Sequence, residues 1–143
     1  VADPRYRDTV TVPEPADRHL AEEAIIDSAI DALAAGHASN AVALLEPLVA
    51  RKPENIEAVH ALIRALSDAD RPSEALALTQ QLIVREPEDV LAHTRLSMLL
   101  QRLGDVPAAE AAATRAKLLG WKLELRAASQ AEATAKEKEH NST

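Results

Sequence analysis

The chain has 143 residues, no Cys, no Phe, one Trp, one Tyr and 3 Gly, which is about one domain in length and poor in the aromatic residues that build sheets. Without thiols it can hold no disulfide, thiolate metal site or cysteine nucleophile. A net charge of -7, with Lys and Arg scattered along the chain, argues against nucleic acid, and no apolar run approaches the ~20 residues that span a bilayer.

Residues 1–16 come first and read as an extended arm. Pro4, Pro13 and Pro15 oppose helix, and Thr9 to Val12 alternates with period two. Such an arm either stays close to its own first helix or adds as a strand to a partner. The first residues, with Asp3, Arg5, Arg7 and Asp8, do not look like a signal peptide.

From Asp17 the pattern is helical, and a 34-residue period organises it. Ala41, Ala75 and Ala109 recur at that interval, as do Pro53 and Pro87, and a turn residue precedes each alanine by five positions: Gly36, Asp70, Gly104. The unit is one helical hairpin. Three units follow, at about 22–55, 56–89 and 90–123. In the first, register from Ala41 places small residues (Ser28, Ala29, Ala32) beside Ile25 in the core and puts Ile26, Ile30 and Leu33 one position late. Either the turn at Gly36–His37 is one residue shorter than the others, or these three side chains form a contact surface, for a partner or for a second copy of the chain.

The second unit is the most regular. Val59, Leu62, Ile63 and Leu66 stripe one helix face, and a partner helix opens near Pro72 and presents Ala75, Leu78 and Leu82. The third repeats the plan with His93, Leu96, Ser97 and Leu100, a turn at Gly104, then Ala109, Ala112, Ala113 and Ala116. Trp121 occupies the place of the closing proline, after Gly120, a residue suited to ending a helix. The spacing therefore predicts a stop there, with Trp121 wedged beneath a separate capping helix and polar tail over 124–143.

Small residue, turn and closing proline at these positions resemble the tetratricopeptide repeat family. The resemblance implies an all-α fold, a right-handed superhelical solenoid of about three helical hairpins plus a C-terminal capping helix. It also implies that the first helix of each hairpin lines a concave face that binds peptides or partner segments. Carried onto this sequence, that face holds Glu57, His60, Arg64, Ser67 and Asp68, then Leu91, Thr94, Arg95, Met98, Gln101 and Arg102. The arginines can fork onto carboxylates, and Leu91 with Met98 offers an adaptable apolar contact. The positions that grip a chaperone C-terminal carboxylate in one subclass of the family hold Ile26, Ile30, Ala61, Leu91 and Arg95 here, of which only Arg95 suits the task.

Catalytic constellations are absent from the spacing. The three glycines are too far apart for a phosphate loop, and His19 with Glu23, at i and i+4, lacks a third metal ligand nearby. His93 reads as a packed core histidine. The expectation is a non-enzymatic interaction module, without cofactor or metal, for a protein or peptide partner, with no membrane insertion and no nucleic acid. It is expected in the cytoplasm, with periplasmic or secreted locations left open. The alternative is an accessory subunit that stabilises an enzyme complex, and both a hetero-complex and a homodimer fit the sequence.

Overall fold

A computed structural model describes residues 15–142, and all their regular structure is helical. Six helices follow in order: α1 (Pro15–Ala34), α2 (Ala38–Arg51), α3 (Ile56–Asp68), α4 (Pro72–Arg85), α5 (Val90–Arg102) and α6 (Val106–Asn141). Their bounds keep the sequence period. The helices α1, α3 and α5 end at Ala34, Asp68 and Arg102, and α2, α4 and α6 begin at Ala38, Pro72 and Val106, in steps of 34 residues.

The turn inside each hairpin explains this phase. Gly36, Asp70 and Gly104 take the same place and all have positive φ, at 81°, 62° and 90°. A left-handed residue there closes the helix: His37 N–H donates to the carbonyl of Ala32 and Gly36 N–H to Leu33, a pair reproduced by Asp105 to Leu100 and Gly104 to Gln101. Between hairpins the stop is different. Lys52 and Glu86 leave helical geometry ahead of Pro53 and Pro87. Asn55 and Asp89 then start the next helix, their side chains accepting from the amides of Ala58 and Ala92 at 3.1 Å.

The helices form two compact units, one reaching to Ala69 and one beginning at Asp70. In the first, α1, α2 and α3 all pack on one another. Ala41 is fully buried where α2 meets α1, and Val42, Leu45 and Leu48 complete the inner side of α2. Asn55 also donates to Glu22 at 3.3 Å, fastening the loop before α3 to α1. All four stripe residues of α3, Val59, Leu62, Ile63 and Leu66, are buried as the sequence predicts.

In the second unit α5 packs on both α4 and α6. Ala75 and Ala109 are buried, and the Ser97 hydroxyl donates to the Ala109 carbonyl at 2.7 Å, so α5 reaches the backbone of α6 where only a methyl intervenes. Thr79, fully buried, satisfies its hydroxyl on the Ala75 carbonyl at 2.7 Å. His93 is buried too, donating from Nε2 to the Pro87 carbonyl at 2.9 Å.

Four expectations need correcting. The turn after α1 is three residues long, as its counterparts are, and Ile26 and Leu33 are buried with Ala29 while Ile30 is exposed. Since α1 rests on α2 and α3, its apolar face is turned by about one residue (~100°) from the register of α3. Contact surface is thus the wrong reading for Ile26 and Leu33. Second, Gly120 ends nothing: α6 runs unbroken for 36 residues to Asn141, so the expected cap and tail over 124–143 begin as a continuation of the second helix of the third hairpin. Third, Trp121 is exposed and Ala113 lies on the outer side of α6, with every residue from 124 to 142 exposed. Fourth, Pro15 and Ala16 begin α1, and the rest of the expected N-terminal arm lies outside the described residues.

Candidate functional site

In the first unit, α3 carries Glu57, His60, Arg64, Ser67 and Asp68 along one side of the helix, away from its buried stripe. Glu57 and Arg64 are exposed, whereas His60 and Ser67 are half-buried. Arg64 Nε lies 3.8 Å from Asp68 Oδ2, an exposed pair one helical turn apart. This face is therefore polar and internally compensated.

In the second unit the corresponding face of α5 is more apolar. Leu91 and Met98 are 47% and 66% exposed, and Thr94 lies between them at i+3. Its hydroxyl is turned back onto the Val90 carbonyl at 3.0 Å, so its polar group is satisfied within the helix. The span from Leu91 to Met98 is two helical turns, about 10 Å. Arg95 is half-buried, and Gln101 and Arg102 are exposed at the C-terminal end.

Arg102 differs from the expectation of a fork held out to a ligand. Its Nη2 donates to Asp70 Oδ1 at 2.7 Å. Asp70 is the left-handed non-glycine residue of the turn before α4, so the guanidinium braces the one repeat turn that lacks glycine. No spacing rule links residues 32 apart, so this bond leaves no signature in the sequence.

A second unforeseen cluster ties the loop before α5 to α6. Glu88 accepts from Lys122 at 3.4 Å and from Arg126 at 3.2 and 3.5 Å. The Arg126 hydrogen bonds and charge, followed by those of Lys122, hold the Glu88 carboxyl below its ordinary value. Glu74 is likewise lowered, chiefly by its hydrogen bonds from Arg71, one of them 2.9 Å.

Concave features are shallow. A depression of about 310 Å³ in the first unit is lined by His19, Glu22, Glu23, Lys52, Asn55 and Glu57 among others. His19 and Glu23 meet there at 3.0 Å as an exposed pair. Among the described residues no group of three or more His, Cys, Asp or Glu is placed to hold a metal ion, and no helix is long and apolar enough to cross a membrane. Another depression, of about 290 Å³, lies along α6 beside Trp121.

Residues 32–94, from the end of α1 into α5, match the tetratricopeptide repeat family model. Among solved structures, the one titled MamA RS-1 ArsTM double mutant superposes with a TM-score of 0.66 at 20% identity over 71% of this chain. The match spans 57% of that chain's length, and at this identity the likeness is one of fold. No curated protein matches the sequence. Repeated hairpins in constant phase and the family match over residues 32–94 show tetratricopeptide-like repeats in that stretch, within a fold shared with that solved structure.

Proposed function

We propose that the chain is a non-catalytic interaction module whose α5 outer face holds a segment of a protein partner, with the repeats running over about 22–55, 56–89 and 90–123. The observation that carries this reading is the pair Leu91 and Met98, apolar and exposed on a helix whose opposite side supplies the core residues Ala92, His93 and Leu99. A Met beside a Leu suits partners of varied shape, because the thioether chain repacks at little cost. Thr94, Arg95 and Gln101 border the strip with hydrogen-bonding groups. On α3, Glu57, His60 and Arg64 offer a polar surface of the same kind, suited to charged positions of a partner. A cytoplasmic setting belongs to this reading, and nucleic acid does not, since no cationic face is gathered on either helix.

The test is site-specific cross-linking. A photoreactive amino acid at Thr94 is expected to capture a defined partner peptide, and Leu91→Glu with Met98→Glu is expected to cut the yield about tenfold or more at unchanged circular dichroism. Undiminished capture in the double variant would remove α5 as the docking face.

A further inference from the structure

The depression of about 310 Å³ in the first unit has two walls and an apolar floor. One wall is a single face of α1, where His19, Glu22, Glu23 and Ile26 fall at i, i+3, i+4 and i+7; the other is the loop and helix start from Lys52 to Glu57. Ile26 is 1% exposed and Ile56 is half-buried, and they form the floor. Above it four carboxylates, Glu22, Glu23, Glu54 and Glu57, share the lining with a single lysine, Lys52. Lys52 lies 4.0 Å from Glu54, and His19 lies 3.0 Å from Glu23. One carboxylate on each wall is left without a cation. Glu22 is met by the neutral amide of Asn55 at 3.3 Å, and Glu57 makes no ion pair among the described residues.

We infer that the occupant of this groove is the chain's own segment Arg5-Tyr6-Arg7, with Tyr6 over the Ile26 and Ile56 floor and one arginine on each wall. Charge and reach both argue for it. Two guanidiniums, whose forked donors suit carboxylates, answer the two carboxylates that no cation meets. In an extended backbone with three residues per turn, which Pro4 favours, the neighbours of a central side chain diverge to either flank. An aromatic ring can then enter between the walls while the side chains before and after it spread across them. Arg7 precedes Pro15 by eight residues, enough chain to span about 26 Å, whereas Glu22 lies only about 10 Å along α1 from Pro15. A segment turning back along α1 therefore reaches the groove with chain to spare. The tether also holds the triplet at a local concentration on the order of millimolar. The flanking Asp3 and Asp8 weaken the attraction, and exposed ion pairs contribute little each, so the docking is reversible.

This assignment is independent of the α5 face. The chain has one Tyr and no Phe, so the Tyr6 ring protons stand apart in an NMR spectrum of the full chain. At low salt they are expected to show nuclear Overhauser contacts to the Ile56 methyls, fading as added salt screens the pairs. Arg5→Glu with Arg7→Glu is expected to lower the docked population about tenfold, and Glu22→Gln with Glu57→Gln about threefold, at unchanged circular dichroism. Arg5→Lys with Arg7→Lys is expected to keep most of the contact, because the charge remains. Absence of the contact at low salt overturns the inference, as does a contact indifferent to the charge reversal. In a mixture of isotope-labelled and unlabelled chains, contacts between molecules instead of within them give the groove to a second copy and equally overturn it. A docked arm must also exclude a competitor. A capped Arg-Tyr-Arg peptide that binds the parent chain as tightly as the Arg5→Glu, Arg7→Glu chain would leave the groove to a foreign cationic segment and refute its occupation from within.

Discussion

The helices α2 and α6 occupy the same place in their hairpins yet end differently. After Leu48, α2 has Arg51, then Lys52 and Pro53, and the chain turns into the cap of α3; after Ala116, α6 has Gly120, Trp121 and Lys122 and continues for about twenty residues more. At the equivalent of Asn55, the residue that starts α3, α6 has Leu123, which cannot cap a helix. Three signals therefore act together where a hairpin stops: a residue driven out of helical geometry by the next proline, the proline itself, and an Asn or Asp whose side chain takes up the first free amides. A lone glycine without them is merely a weak helix former, and a Cβ at Gly120 would meet nothing within 4 Å. Burial follows the same divide, since α2 is covered on two sides by α1 and α3 while α6 beyond Leu123 is exposed.

Substitution at one shared register position separates the two helices. Leu45→Ala in α2 removes a fully buried side chain and is expected to cost about 2–5 kcal/mol, read from denaturant unfolding. Ala113→Leu, the equivalent site in α6, is expected to change stability by no more than about 0.5 kcal/mol. Equal effects at the two sites would mean that the α6 face is covered in solution by something in the monomer itself.

The next effect concerns the stop. Trp121→Pro supplies the missing proline and is expected to break α6 near residue 120 at a local cost of about 3 kcal/mol, with a clear loss of helical signal by circular dichroism. Full retention of helix would show that the cap residue, and not the proline, ends α2 and α4.

The smallest effect is electrostatic. Glu88 has its carboxyl value lowered in the fold by Arg126 and then Lys122, so unfolding in acid takes up a proton. Its contribution is complete above the ordinary carboxylate value of 4.5 and disappears as pH falls through the lower folded value. Glu88→Gln is expected to flatten this acid-side slope slightly and leave the neutral region almost unchanged, because the group is exposed to water. A stability profile identical to that of the parent chain would show the pairs to be without weight.

Much of this architecture is legible in the sequence because period and turn chemistry are local. Gly36, Asp70 and Gly104 mark the left-handed positions, and Ala41, Ala75 and Ala109 the close approaches, without any knowledge of the neighbours. What failed depended on neighbours. The rotation of α1 that buries Ile26 and Leu33 is set by the surfaces of α2 and α3, and register copied from a helix with different surroundings could not predict it. Arg102 was legible as a face residue but not as the brace of Asp70, since that bond joins residues 32 apart. The α6 stripe reads as a cap because Leu123, Leu125 and Ala128 have helical spacing, and spacing alone does not say whether anything lies against them.

Helix bounds that step by a fixed 34 residues carry a consequence for length. Each block beginning at Ile56 or Val90 is entered through an Asn or Asp that starts its own first helix, and the block from Ile56 also carries the Glu-Pro sequence that ends its second. A further block spliced in after Asp89 would bring both punctuation marks with it and leave the phase downstream intact. Such a chain can grow in whole hairpins while the unpunctuated helix α6 keeps its place after them.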